Sequence, residues 1–144
     1  MSEESKRKAF KKLEEAYKGK LDALEEVYTA DCIVHRAPGP VYKGLESLKK
    51  AIAEWRKAFP DTQMTVDELI IAGDKGAALF TIQGTHKAQT EGFPFPPTGK
   101  KVKFREASIL RFKGDKVAEE ISFGDNLGLL QQLGVIQRGV LPPR

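Results

Sequence analysis

In the first 60 positions, hydrophobic residues recur at helical spacing with lysine and glutamate between them. The pattern predicts a helix ending near Gly19, a short amphipathic helix after it, and a third helix stopped by Pro60. A short strand, Asp31–Arg36, precedes the third helix and is closed by the turn-forming segment 37–40. The apolar positions of the three helices are Ala9, Phe10, Leu13, Ala16 and Tyr17; Leu21, Leu24, Val27 and Tyr28; and Leu45, Leu48, Ile52, Trp55 and Phe59.

From Thr62 onward, the chain reads as β-strands separated by glycine-containing turns. The turns Gly73–Gly76 and Lys113–Lys116 predict two hairpins. Segment 90–100 contains three prolines and two glycines, which predicts a loop. The predicted strands are Met64–Ala72, Ala77–Lys87, Lys101–Phe112 and Val117–Phe123, and a short helix at 126–133 closes the domain.

This order of elements predicts an α+β fold, with N-terminal helices packed against a curved, mainly antiparallel sheet. The 144 residues fit one domain, with a structured core at about 8–136 and frayed termini, including the tail that ends in LPPR. A curved sheet wrapped over helices leaves a cavity between them, which is a natural ligand site.

Composition excludes several other classes of protein. Apolar residues make up 40% and charged residues 31%, with no apolar run near the ~18 residues of a membrane span. The net charge of +4 is spread along the chain, and only Phe104 interleaves the basic stretch at 100–105, so we expect no nucleic-acid partner. We also expect no membrane partner and a cytoplasmic location, because the first residues do not read as a secretory signal.

The longest strand places a carboxyl group on its apolar face. Glu106 and Ser108 alternate with residues that should face the core, namely Val102, Phe104, Leu110 and Phe112. Burial raises the pKa of a carboxyl group, as acid–base chemistry near neutrality requires. The structural alternatives are a glutamate at a strand end that pairs with a lysine, or a shift in the register of the strand.

By the same alternation, Val117, Glu119, Ile121, Phe123 and Asp125 should share a face of the last strand. This interpretation puts Phe123 in the pocket and Asp125 at its wall. Asp125 also precedes a predicted helix, and aspartate is a favoured N-cap, so the capping role competes with the catalytic one.

The two histidines, His35 and His86, both lie on predicted strands and could orient a substrate or relay a proton. Their spacing matches no metal-binding motif, and the single cysteine, Cys32, excludes an internal disulfide and a multi-cysteine zinc site. Cys32 is interpreted as a small buried apolar residue. Trp55 and Phe59 belong to the core and could also form the floor of a cavity.

Several segments together resemble the SnoaL-like polyketide cyclases of the nuclear transport factor 2 superfamily, over about residues 8–136. The matching segments are Tyr28–His35, Gly44 with its helix through Asp61, Ala72–Asp74, Gly84–His86, Pro97–Lys100 and Gln132–Gly134. The most specific part is Pro-Thr-Gly-Lys after Gly-Thr-His.

The resemblance implies a helix–sheet cone with a deep, mainly apolar pocket, and often a homodimer. The best-studied members of this family close polyketide rings by an aldol reaction without metal or cofactor, using an aspartate near the end of the last strand. Asp125 matches that position, and His35 and His86 match histidines of the family.

Two departures from the family pattern affect the expected activity. Many relatives carry a His-Trp pair where this chain has Glu120-Ile121. Ketosteroid isomerases of the same superfamily place an acid at the position of Ser108 and use a tyrosine on the first helix, where this sequence shows no counterpart, so steroid isomerisation is not expected.

The leading hypothesis is therefore a cofactor-independent enzyme that acts on a small apolar carbonyl compound, as a cyclase, aldol-type lyase or isomerase. Asp125 would be the base, assisted by His35, His86 or Ser108, in a pocket formed by Trp55, Phe59, Phe104, Glu106 and Phe123. The alternatives are a non-catalytic binding module, a dimerising scaffold with a filled cone, and an epoxide hydrolase that uses Glu106 with Asp125.

Overall fold

The computed structural model describes residues 2–37 and 39–136. Its helices are α1 Glu3–Lys11, α2 Leu13–Tyr17, α3 Leu24–Val27, α4 Leu45–Ala58 and α5 Asn126–Leu133, with a 3-10 turn at Leu21–Ala23. Its strands are β1 Tyr28–Ala37, β2 Val41–Lys43, β3 Gln63–Ala72, β4 Lys75–Thr85, β5 Lys101–Lys113 and β6 Lys116–Gly124. The predicted frayed tail at 137–144 lies outside the described residues.

The six strands form one sheet in the order β2-β1-β6-β5-β4-β3. The segment β3-β4-β5-β6 is the predicted meander, while β1 pairs with β6 in parallel and with β2 antiparallel. Helix α4 packs on β1, α5 on β5, and α2 on β3. The expected α+β fold, helices over a curved sheet, is confirmed.

Local sequence signals set the ends of the helices. Ser2 caps α1 by accepting a hydrogen bond from the Ser5 amide at 3.0 Å, so that helix begins before the core boundary expected at residue 8. Asp125 caps α5 through the Gly128 amide, and α5 ends at Gly134, whose φ of 78° is a left-handed conformation that favours glycine.

One part of the predicted strand alternation is wrong. The register between β5 and β6 shifts between Arg111 and Phe112, which indicates an extra residue in β6 near its start. After that irregularity Glu120 and Ser122 face the core, while Phe123 is 55% exposed on the outer face. Phe123 therefore does not lie in the predicted pocket.

Candidate active site

A cavity of about 610 Å3 lies between α4, α5, the loop at 91–93 and the inner face of the sheet. This volume is within the usual range for small-molecule sites, about 300–1,000 Å3. Most of its wall is apolar and is formed by Ile52, Trp55, Ile82, Phe93, Phe104 and Leu129.

Trp55 is held in the cavity wall by contacts on several sides. Its ring stacks on Phe59 at a centroid distance of 4.2 Å and meets Phe93 and Phe104 edge-on at 5.9 and 5.8 Å. Its indole N–H donates to Thr62 Oγ1 at 3.0 Å. Phe59 is completely buried, so it supports Trp55 without lining the cavity itself.

Four polar side chains meet at one end of the cavity. The Arg36 guanidinium on β1 lies 3.4 Å from Glu106 Oε1 and 3.5 Å from Ser122 Oγ, and it donates to the hydroxyl of Tyr17 at 3.1 Å. Because Tyr17 Oη accepts from Arg36, the Tyr17 O–H can donate to a ligand. These side chains come from α2, β1, β5 and β6, so the complete tertiary fold is needed to assemble them.

Burial raises the pKa of Glu106; Arg36 opposes this shift and Glu120 adds to it. Burial also raises the pKa of Tyr17, so its phenol is neutral and a donor at neutral pH. Burial alone would lower the pKa of the Arg36 guanidinium, but Tyr17, Glu106 and Glu120 together raise it, and Arg36 stays charged. The site thus combines a permanent cation, a neutral phenol and a carboxyl group that binds protons readily.

Gly124 provides the space that the Glu106 carboxyl group occupies. A Cβ atom at position 124 would lie 2.9 Å from Glu106 Oε2, closer than such atoms approach in proteins. Residues 106 and 124 are also direct partners in the β5–β6 ladder. Glycine at this position, near the end of β6, therefore leaves the space that the Glu106 carboxyl group needs.

A second carboxyl group, that of Glu120, is buried near this cluster and outside the cavity lining. Glu120 is 4% exposed, and its two oxygens accept hydrogen bonds from Tyr28 Oη and Ser108 Oγ, each at 2.5 Å. Ser108 faces the core as predicted, but it contacts Glu120 and does not line the cavity.

Of the nine predicted site residues, Trp55, Phe104 and Glu106 line this cavity. Asp125 is exposed and occupies the N-cap of α5. The His35 ring lies on the opposite face of the sheet, where Nε2 is 3.1 Å from Glu119 Oε2. The structure therefore does not bring Asp125 and His35 together with Glu106.

His86 is completely buried between aromatic rings, with centroids 5.2 Å from Phe59 and 5.1 Å from Phe93. Its Nε2 lies 3.1 Å from the carbonyl of Ala88, which can only accept, so Nε2 carries hydrogen. Its Nδ1 accepts from the Thr98 amide at 3.3 Å. Both ring nitrogens thus hold the loop that carries Phe93, and His86 is outside the cavity lining.

The sequence reasoning missed Arg36 and Tyr17. Arg36 continues the inward-facing row of Cys32 and Val34 on β1, and this alternation was the available signal. Tyr17 was predicted only as an apolar position of the first helix, whereas its hydroxyl, at the end of α2, lies in the site.

Within residues 2–37 and 39–136, no group of three or more His, Cys, Asp or Glu side chains is placed to bind one metal ion. None of the helices in these two ranges has the length and apolar character to span a membrane.

The cone and its partly polar cavity define a protein with a small-molecule pocket. The sequence profile of the SnoaL-like polyketide cyclases matches residues 8–133, and the chain belongs to that family. A search among curated proteins finds no significant match.

Solved structures support the same fold. TsrD from Streptomyces laurentii superposes with a TM-score of 0.84 at 25% identity, over 94% of this chain and 99% of that one. A candidate polyketide cyclase from Bacillus cereus ATCC 10987 gives 0.77 at 28% identity, over 94% and 87%. IdmH from Streptomyces antibioticus, another candidate polyketide cyclase, gives 0.75 at 25% identity, over 90% and 98%.

Proposed function

We propose that this protein is a cofactor-independent acid–base enzyme that acts on a small, largely apolar carbonyl compound, with Glu106 as the base. One observation supports this proposal above the others. The Glu106 carboxyl group lies beside Arg36 and near Tyr17, at the polar end of a cavity with aromatic and aliphatic walls.

In the proposed reaction, Glu106 removes a proton from the carbon next to the carbonyl group. The negative charge moves to the carbonyl oxygen, which accepts hydrogen bonds from the Tyr17 O–H and the Arg36 guanidinium. In a cyclase, the resulting enolate forms a carbon–carbon bond to a second carbonyl, and the new alkoxide oxygen takes the proton from Glu106. In an isomerase, the enolate takes that proton back at another carbon. An aldol-type lyase runs the carbon–carbon step in reverse, so the three activities share these residues.

Proton removal can be tested without the natural substrate. The protein is incubated in D2O with 2-tetralone, an apolar cyclic ketone, and loss of the α-proton signal is followed by NMR. We expect wild type to accelerate exchange over buffer and Glu106→Gln to lose about 100-fold or more of that rate, because a positioned base contributes about 10²–10⁴-fold.

Asp125→Asn is the control, since asparagine also caps helices and α5 keeps its N-cap. It should exchange the ketone at the wild-type rate. Loss of exchange in Asp125→Asn with full exchange in Glu106→Gln would assign the base to Asp125 and refute the proposal for Glu106.

The alternative of a non-catalytic binding module shares the same cavity and is favoured by the missing His-Trp pair. Trp55 is the single tryptophan, so its fluorescence reports directly on occupancy of the cavity. A ketone that changes this fluorescence in wild type and in Glu106→Gln alike, without exchange in either, would support binding alone.

The other two alternatives have less support. A scaffold with a filled cone conflicts with the 610 Å3 cavity. An epoxide hydrolase that uses Glu106 with Asp125 would need the two carboxyl groups together, whereas Asp125 caps α5 at the surface.

We also propose that the protein forms a homodimer through the outer face of its sheet. Residues in register across all six strands form a row on this face, and three of them, Ile70, Ile109 and Val41, are about half exposed. The row is Ile70, Ala77, Ile109, Ile121, His35 and Val41. Exposed apolar patches of this kind are typical of interfaces, and a two-fold axis would pair the patch with itself.

The dimer predicts a solution mass of twice 16.0 kDa for wild type in sedimentation equilibrium. Ile109→Lys should shift the equilibrium to monomer, because it places a charge at the centre of the row. Lys101→Gln, on the same strand and face but away from the row, should stay dimeric. A monomeric wild type would contradict the proposal.

A further inference from the structure

The buried carboxyl group of Glu120 has no part in the proposed reaction, yet it lies near the charges of Arg36 and Glu106. Glu120 is buried, and each of its oxygens accepts a hydrogen bond from a hydroxyl group, Tyr28 Oη or Ser108 Oγ, at 2.5 Å. Oxygen–oxygen distances of this length are typical of a hydroxyl that donates to an ionised carboxylate. Both oxygens of Glu120 are therefore held by hydroxyl donors inside the protein.

Arg36 contacts one carboxyl group of this cluster directly and attracts a second one nearby without contact. Arg36 is directly opposite Ser122 in the β1–β6 ladder, and Glu120 lies two residues earlier on β6, on the same inner face. On its other side Arg36 reaches Glu106 at 3.4 Å. When both carboxyl groups are ionised, the negative charges outnumber the guanidinium, so one of the two is favoured to bind a proton.

Among residues 2–37 and 39–136, the other titratable groups that face the cluster do not balance this charge. They are Tyr17 from α2, and Tyr28 and Cys32 from β1. Burial raises the pKa of both tyrosines, and it raises the pKa of the Cys32 thiol to about 11, so all three are neutral near pH 7. The cavity lining also contains the cation Lys50, together with two acidic residues, Glu54 and Glu91.

We propose that Glu120 is a positioning residue: its buried negative charge disfavours a second one nearby and thereby makes Glu106, which lines the cavity, the carboxyl group that binds and releases the proton. The importance of this role for catalysis rests on the proposed function of Glu106.

The geometry assigns the exchanging proton to Glu106 and not to Glu120. Glu106 lines the cavity, and its one polar contact with Arg36 is long at 3.4 Å. Glu120 is held by two short hydrogen bonds and is excluded from the cavity lining. Burial raises the pKa of Glu106, with Arg36 opposing and Glu120 reinforcing the shift, in agreement with this assignment.

The experiment measures the Glu106 pKa directly, by 13C NMR of protein labelled at glutamate side-chain carboxyl carbons, with Glu106→Gln to assign the signal. Glu120→Gln preserves side-chain size and removes the charge. We expect it to lower the Glu106 pKa by about one unit or more, because the nearby negative charge that opposes ionisation of Glu106 is then gone.

Glu119→Gln is the matched control, since it makes the same change on the adjacent residue, whose side chain pairs with His35 and Arg111 on the outer face. It should leave the Glu106 pKa unchanged. An unchanged or higher Glu106 pKa in Glu120→Gln, or an equal fall in Glu119→Gln, would overturn the proposal.

Ser108→Ala provides a second test if Glu120→Gln does not fold. Without the Ser108 hydroxyl, the Glu120 carboxylate loses one of its two hydrogen-bond donors, so its negative charge is held less firmly and the Glu106 pKa should again fall. The NMR titration measures the Glu106 pKa without any turnover. A failure to exchange 2-tetralone would therefore refute the proposed function, while the titration would still decide the role of Glu120. If exchange is observed, Glu120→Gln should also move the acidic limb of its pH profile to lower pH.

Discussion

At about pH 8, Arg36→Met is expected to lower the free energy of unfolding by about 2–3 kcal/mol, less than the about 3–5 kcal/mol typical of a fully buried charge pair, because Arg36 and Glu106 are only partly buried. Arg36 is the cation shared by Glu106, Glu120 and the Tyr17 hydroxyl. Methionine fills much of the same volume, so the loss measures charge compensation more than packing. Urea unfolding followed by circular dichroism gives the value.

The loss of unfolding free energy in Arg36→Met should depend on pH, and the direction of that dependence identifies its cause. Burial already raises the pKa of Glu106, and Arg36 opposes that shift, so the variant should raise the pKa further. A carboxyl group whose pKa is higher in the folded chain than in the unfolded chain takes up a proton on folding. Its stabilising contribution is complete below the unfolded pKa, here 4.5, and is lost as the pH rises through the folded pKa. The difference in unfolding free energy between Arg36→Met and wild type should therefore be smallest near pH 4 and largest near pH 8.

Arg36→Lys is the control because it keeps the charge and loses only the planar, forked geometry of the guanidinium. It should be less destabilised than Arg36→Met at about pH 8, and the gap between the two should narrow as pH falls. A deficit that is the same from pH 4 to pH 8 would mean that packing, and not charge compensation, is the main contribution of Arg36.

The sequence was informative about the fold because its signals are local. Helical spacing and the break at Pro60 placed α4, and strict alternation on β5 placed Phe104, Glu106 and Ser108 on the inner face. Strand β2 was not predicted, because a three-residue edge strand has too few positions for a periodic pattern.

The site was harder to predict because it depends on register between strands distant in sequence. One register shift on β6 turned Phe123 outward and brought Glu120 and Ser122 inward, and no residue near that position marks the irregularity. The contact of Arg36 with Glu106 joins residues 70 positions apart. Alternation along β1 could indicate the face that Arg36 occupies, but not its partners.

The largest effect expected from an uncharged side chain is at Phe59, which links the cavity wall to the loop around Phe93. Its ring is completely buried, stacked on Trp55 at 4.2 Å and on His86 at 5.2 Å, with Phe93 edge-on at 5.2 Å. Phe59→Ala should cost about 3–5 kcal/mol of unfolding free energy, because the core loses a whole ring and this site has several neighbours that must move to fill the space.

Phe95→Ala is the matched control, since Phe95 is half-buried and meets Phe93 at the edge of the same aromatic cluster, at 5.1 Å. Its cost should be about 1 kcal/mol, the usual size for a partly buried position. The fluorescence of Trp55 gives a second measurement, because loss of the stacked ring changes the surroundings of the indole in the folded state. Equal destabilisation by the two substitutions, with unchanged Trp55 emission in Phe59→Ala, would show that Phe59 does not support the cavity wall.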